Sequence, residues 1–342
     1  MKKTMFGVLG AVTGVLLLGG CGDATQKDGA EKKDVVITLN YANFPPPSTF
    51  PCVQMERFVK ELEERTGGQV KVRTHAGGTL LGAKDIFDGV IQGTADIGNF
   101  AMSYQPGRFP VTEALDLPHF FPDSKTATRA LEAVMDAFKP AEFADVVVLS
   151  VFTCPPAVVM SKPPVNGIAD LKGLAIRSSG TAAEVFKRIG GTPVAMPQSE
   201  VPDALQKGLI VGNMSSAEVL KDMDYAKTCP NVLQADLSVV SFAVVMNKRK
   251  FERLPKDLQE VLLALGREQS HWTAEYVDNH AANAIAWGKE ERGLVVTIPT
   301  DEDKAILREA AAPLMDEYVE RVKKNKIDGR KILEAIEKVK GE

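Results

Sequence analysis

The chain has 342 residues, 44% hydrophobic and 25% charged, an ordinary globular balance that supports a large core. Its formal net charge of −4 at pH 7 argues against nucleic acid as a partner, because phosphate binding wants a basic face. The four cysteines contain no Cys-x-x-Cys pair and there are four histidines, so neither a metal nor a cofactor is expected.

At the start, Lys2 and Lys3 precede an uncharged apolar run over 5–18 that closes in Leu18-Gly19-Gly20-Cys21. The run falls short of the ~20 apolar residues that cross a bilayer and has the layout of a secretory signal. Its small-small-Cys ending resembles a bacterial lipobox. That implies removal of residues 1–20 and lipidation of Cys21 as the mature N-terminus; the alternative is a signal peptide that merely ends near a cysteine. Loss of Lys2 and Lys3 takes the formal charge from −4 to −6. Two or more acyl chains give stable membrane attachment, which places the protein in the periplasm as an anchored lipoprotein. Residues 21–34 are polar, Gly- and Lys-rich, and read as a flexible tether. In an exported chain, Cys52, Cys154 and Cys229 are compatible with one disulfide plus an odd thiol, or with three unpaired thiols.

Residues 35–41 are β-branched and read as a buried strand. Pro45, Pro46 and Pro47 break it, and a helix can then start at Ser48 or Thr49. Met55, Phe58, Val59 and Leu62 share one face of that helix, and Thr66-Gly67-Gly68 stops it. A strand over 70–74, a helix over 83–92 closed by Gly93, and a strand over 95–99 follow. This strand–helix alternation predicts a parallel sheet, with ligands gathering beyond the carboxyl ends of its strands. Those ends present Asn43 and Phe44, His75 and Ala76, and the stretch from Asn99 through Phe100 and Met102 to Tyr104.

The same logic repeats over a strand at 146–152, a strand at 174–177, a helix at 181–189, a strand at 192–196 and a helix at 200–207 ended by Gly208. A buried strand over 239–246 comes next. Leu254-Pro255-Lys256-Asp257 opens helical text that runs on to Trp287. Thirty residues is long for one globular helix, so either a helix spanning both halves or two kinked helices is expected. The last forty residues read as outer helices.

Enzyme constellations are missing: there is no His-Glu-x-x-His, no Gly-x-Ser-x-Gly and no Gly-rich phosphate loop. His119, in Leu117-Pro118-His119-Phe120-Phe121, suits a satisfied buried imidazole better than a catalyst. Arg177 stands at a strand's carboxyl end before Ser178-Ser179-Gly180 and a helix start. A guanidinium beside hydroxyls and a helix N-terminus is prepared for a carboxylate. The alternative is a surface arginine paired with Glu184 or Asp170.

Three motifs sharpen this: Leu171-Lys-Gly-Leu-Ala-Ile-Arg177, Met196-Pro-Gln-Ser-Glu-Val-Pro-Asp-Ala-Leu-Gln-Lys-Gly208, and Val211-Gly-Asn-Met-Ser215. Together they resemble the solute receptors of tripartite ATP-independent periplasmic (TRAP) transporters, carriers of organic acids. Gly77-Gly-Thr-Leu-Leu-Gly-Ala-Lys-Asp85, Val90-Ile-Gln-Gly-Thr-Ala-Asp-Ile-Gly98 and Phe251-Glu-Arg-Leu-Pro255 are similar to the same family, so the resemblance covers 35–342. It implies an α/β fold of two lobes bridged by a long helix, with lobe one at 35–155 and 243–280 and lobe two at 156–242 and 281–342. It implies a non-enzymatic, monomeric receptor that hands a small carboxylate to TRAP permease subunits.

The resemblance makes Arg177 the carboxylate clamp and draws Gln198, Asn213, Met214 and Ser215 into the ligand set. Asn43, Phe44, Phe100, Tyr104 and Phe242 join from the strand ends, although some of these aromatics also suit an ordinary core. The family's second arginine falls near Ala157, its acidic position is Val211, its glutamate is Met214 and its asparagine is Ser215. One cation facing apolar side chains predicts a monocarboxylate with an apolar or aromatic body. A ligand-sensing lipoprotein of another uptake or signalling system is the alternative.

Overall fold

The computed structural model describes residues 36–341; the lipobox, Cys21 and the tether lie outside the described residues. The first strands and helices are β1 (Ile37–Asn43), α1 (Phe50–Arg65), β2 (Val70–His75), α2 (Ile86–Gln92) and β3 (Ile97–Ala101). Thr49 is the N-cap of α1, and Met55, Phe58, Val59 and Leu62 form its buried stripe. Gly93 ends α2 at φ 84°, a left-handed conformation that glycine adopts without steric cost.

Next come α3 (Ser124–Phe138), β4 (Val146–Thr153), β5 (Val158–Ser161), β6 (Ala175–Arg177), α4 (Ala182–Arg188), β7 (Thr192–Val194), α5 (Val201–Gln206) and β8 (Gly212–Ser215). The chain continues through α6 (Val219–Asp222), α7 (Tyr225–Thr228), β9 (Asn231–Leu233), β10 (Ser241–Asn247), α8 (Lys248–Glu252), α9 (Lys256–Arg292), β11 (Val295–Thr297), α10 (Asp301–Lys323) and α11 (Gly329–Lys340).

Two sheets result. The first has the order β2-β1-β3-β10-β4 and the second β11-β9-β5-β8-β6-β7. The pairings of β1 with β2 and β3 are parallel, as the alternation predicts. Neither sheet is wholly parallel, however. In the first, β10 runs antiparallel to both β3 and β4, and in the second β5 runs antiparallel to β8 and β9. The reason is connectivity. The chain crosses to the second sheet after β4 and returns into β10, and each crossing segment enters its new sheet from the opposite end.

Two of the expected boundaries change with this topology, and one open choice is decided. The lobe boundary drawn at 242/243 falls inside β10, where Phe242 pairs with Ala101 and Phe152 on the first sheet. The C-terminal part drawn wholly into lobe two divides: α10 packs against α4, but α11 packs against α3 beside the first sheet. The apolar stripe of α11, with Ile332 and Ile336 fully buried, explains that return. The long helical text forms one 37-residue helix, α9, without a break. It contacts α1, α3 and β4 on one lobe and α6 on the other.

Gly266 lets α9 approach β4 closely. A Cβ there would stand 1.9 Å from the Leu149 carbonyl oxygen, which accounts for a glycine in the middle of a helix despite its unfavourable helix propensity. Among the described residues, Cys52, Cys154 and Cys229 are free and buried. Among the described residues no helix is long and apolar enough to cross a membrane.

A buried arginine in the cleft between the sheets

The carboxyl ends of β1, β6 and β8 converge on one cleft, as expected for strands feeding parallel pairings. Arg177 is the last residue of β6 and is 3% exposed. Its Nε donates to the Met196 carbonyl at 2.9 Å, one Nη to the Met214 carbonyl at 3.2 Å, and the other Nη to the Tyr104 hydroxyl at 3.3 Å. None of these partners is a carboxylate, so the surface-pair alternative with Glu184 or Asp170 does not describe this side chain. Asp170 instead accepts from the Asn166 main chain. A guanidinium has five N–H donors, so one remains on each terminal nitrogen. Two donors on adjacent terminal nitrogens suit the two oxygens of a carboxylate.

Tyr104, from the turn after β3, joins the lobes at this point. Its hydroxyl oxygen accepts from Arg177 and from the Gln198 main-chain N–H at 3.1 Å, leaving its own proton to donate. The facing wall is aromatic. Phe44 meets Tyr104 edge-on at 5.4 Å and lies parallel to Phe242 at 6.5 Å, while Phe50 contacts Phe242 edge-on at 5.7 Å. The cleft encloses about 470 Å³ of atom-free space, part of it open to solvent. A larger cleft opens between Ser103, Glu184 and Tyr318. Its lining cation Arg321 is already bound to Glu113 at 2.7 Å, so it offers an anion no comparable fork.

Six of the ten candidate side chains line the smaller cleft: Phe44, Tyr104, Arg177, Gln198, Ser215 and Phe242. The other four lie behind it. Asn43 holds the turn before α1: it donates to the Pro51 carbonyl, and its Oδ1 accepts from Phe44 N and Asn99 Nδ2. Phe100 packs between Phe87 and Phe109 in the core, with ring centroids at 5.0 and 5.4 Å, because the pleat turns it away from Asn99. Met214 is buried in the core and reaches Arg177 through its carbonyl. Asn213 is fully buried opposite Arg177 on the neighbouring strand, with both side-chain polar atoms unpaired among the described residues. Ala157, where the family's second arginine falls, is likewise buried.

Sequence reading passed over Cys154, Ser216 and Glu218, all of which line the cleft. No spacing signals them, because they meet only when the crossing after β4 folds against the turn after β8. Burial pushes the Cys154 thiol up to about 12, so the sulfur stays protonated and unreactive. Burial also raises the Glu218 carboxyl to about 7. His119 is a satisfied buried imidazole: its ring nitrogens bond Glu337 and the Ala114 carbonyl, each at 2.8 Å.

Two α/β lobes closing on a polar fork and an apolar wall define a solute-binding protein. The model of the bacterial extracellular solute-binding proteins, family 7 (DctP), matches residues 41–321, and the chain belongs to that family, the solute receptors of TRAP transporters. A TRAP periplasmic solute-binding protein from Desulfovibrio salexigens is 41% identical, with TM-score 0.80 over 89% of this chain and 95% of that one. In it, the C-terminus of a symmetry mate occupies the ligand-binding site. A TRAP receptor from Bordetella bronchiseptica with bound (R)- and (S)-mandelate is 25% identical, with TM-score 0.82 over 89% of this chain and 99% of the other. The 2,3-diketo-L-gulonate-binding periplasmic protein of Escherichia coli is 28% identical over 84% of this chain and 87% of its own length.

Proposed function

We propose that this protein captures a monocarboxylate with an apolar or aromatic body outside the cytoplasm and delivers it to TRAP permease subunits, tethered to the membrane through Cys21. The observation that carries the reading is the Arg177 fork, buried without a carboxylate partner and facing Phe44, Phe50 and Phe242. Arg177 is the one cation among the lining residues, so a second carboxylate would face Glu218, Val219, Val240 and these rings with no cation to meet it, at a cost of ~1–3 kcal/mol or more. The mandelate bound by the B. bronchiseptica relative is an acid of the favoured kind. The diketogulonate of the E. coli relative is a more polar acid, less suited to a cleft walled by three phenylalanines.

Closure follows the hinge mode of two-lobed receptors, with Tyr104 of one lobe seated on Arg177 and Gln198 of the other. Calorimetric titration with a panel of acids tests the proposal. Aromatic and branched monocarboxylates should bind best. Tightest binding to succinate, malate or a sugar acid, with the apolar acids inert, would overturn it.

A further inference from the structure

Glu218 immediately precedes α6 and is 2% exposed, yet it lines the same cleft as Arg177. Its Oε1 accepts from the Ser216 hydroxyl at 2.6 Å, while its Oε2 is buried and has no hydrogen-bond partner among the described residues. A buried polar oxygen is ordinarily paired, and leaving it unpaired is destabilising. The nearest charged neighbours do not supply the missing donor. His280 is engaged with Asp222 at 2.7 Å, and Asp222 is itself an acceptor. Beside the hydroxyls of Tyr104, Ser179 and Ser215, the cleft thus holds a donor fork at Arg177 and two buried acceptor oxygens without a partner among the described residues, Glu218 Oε2 and Gln198 Oε1, of which the first is the carboxylate oxygen and the stronger acceptor.

We infer that Glu218 Oε2 accepts a hydrogen bond from an O–H or N–H group on the body of the ligand, so that the preferred solute is a hydroxy or amino acid. The inference rests on the organic-acid reading of the cleft and adds a requirement to it. The carboxylate docks at Arg177, and the donor group docks at Glu218. Ser216 fixes the rotamer of the carboxyl by holding its other oxygen. A site built to pair a ligand hydroxyl rejects the analogue that lacks it, because the protein's own polar group is then stranded.

Matched acids test this at pH 8 by calorimetry. Phenylacetate and 4-methylpentanoate serve as parents, each compared with its hydroxyl, amino and methyl-ether derivatives at every substitutable carbon. At least one hydroxyl or amino isomer should bind the native protein roughly tenfold or more tighter than both its parent and its methyl ether. Glu218→Gln should remove that preference, because the amide presents N–H where Oε2 stood, while affinity for the parent stays within about threefold. The parent acid also reports that the variant is folded, and Glu218→Met provides a second replacement.

Equal binding of parents and all donor-bearing isomers by the native protein overturns the inference without any variant. So does a preference that survives in both replacements. Binding that is lost in Arg177→Ala but blind to donors leaves the organic-acid reading standing and overturns the role of Glu218 alone. If no acid of either series binds the native protein, both fall.

Discussion

Replacing Arg177 tests the center of the functional reading, and its magnitude follows from the contacts. The guanidinium is 3% exposed and already holds two carbonyls and a phenol. A bound carboxylate would take the two remaining N–H groups away from water. Removing one partner of such a buried pair costs ~3–5 kcal/mol, which at ~1.4 kcal/mol per decade is a loss of roughly a hundredfold to a few thousandfold in affinity. Arg177→Ala should also destabilise the ligand-free protein, because the Met196 and Met214 carbonyls lose their donor at ~1–3 kcal/mol each. Titration must therefore be run well below the variant's melting temperature, with circular dichroism confirming the native fold. Arg177→Lys should recover part of the stability but little of the affinity, since a point charge cannot hold two carbonyls and a planar carboxylate together. Retention of acid affinity within about threefold in a folded Arg177→Ala protein would refute the assignment.

Three other predictions concern pH, packing and the anchor. Asp116 is buried, accepts from Ser241 N and Oγ, and burial, opposed by those bonds and reinforced by Glu113, raises its carboxyl from 3.8 to about 7. The native state therefore keeps a proton that the unfolded chain has released. Its stabilising effect is complete below pH 3.8 and is lost as pH rises through 7, up to roughly 4 kcal/mol. Asp116→Asn should flatten the melting temperature between pH 5 and 8, and a slope identical to the native one counts against this. Gly266→Ala drives a Cβ into the Leu149 carbonyl and should cost ~1–3 kcal/mol by forcing α9 off β4, read as a lower urea midpoint. An unchanged midpoint would mean that the helix shifts freely. Cys21→Ser should abolish lipidation, seen as loss of detergent partitioning and of acyl mass in the exported protein; unchanged partitioning and mass would remove the anchor.

The sequence by itself was sufficient for the local architecture wherever periodicity and punctuation agree. The stripe Met55-Phe58-Val59-Leu62, the stop at Thr66-Gly67, the closing Gly93 and the strand leading to Arg177 are local signals, carried by residues within a turn or two of one another. The motifs around Arg177 also placed the chain in its family. Short strands escaped notice: β5, β9 and β11 have three or four residues, too few for period-two alternation to stand out. So did α3, although its Asp123 cap accepts from Thr126.

Only the tertiary structure decided which faces meet. It moved Phe242 onto the first sheet, turned Phe100 and Met214 into the core, and set Asn43 behind the wall. It also brought Glu218 and Cys154 to a cleft with Arg177, across separations that no local pattern encodes. The physical reason is that a strand's alternation says there are two faces but not which one the opposite lobe will cover. That choice is made when the crossings after β4 and before β10 fold the two sheets together, and it fixes which polar groups are buried and left to pair with a ligand.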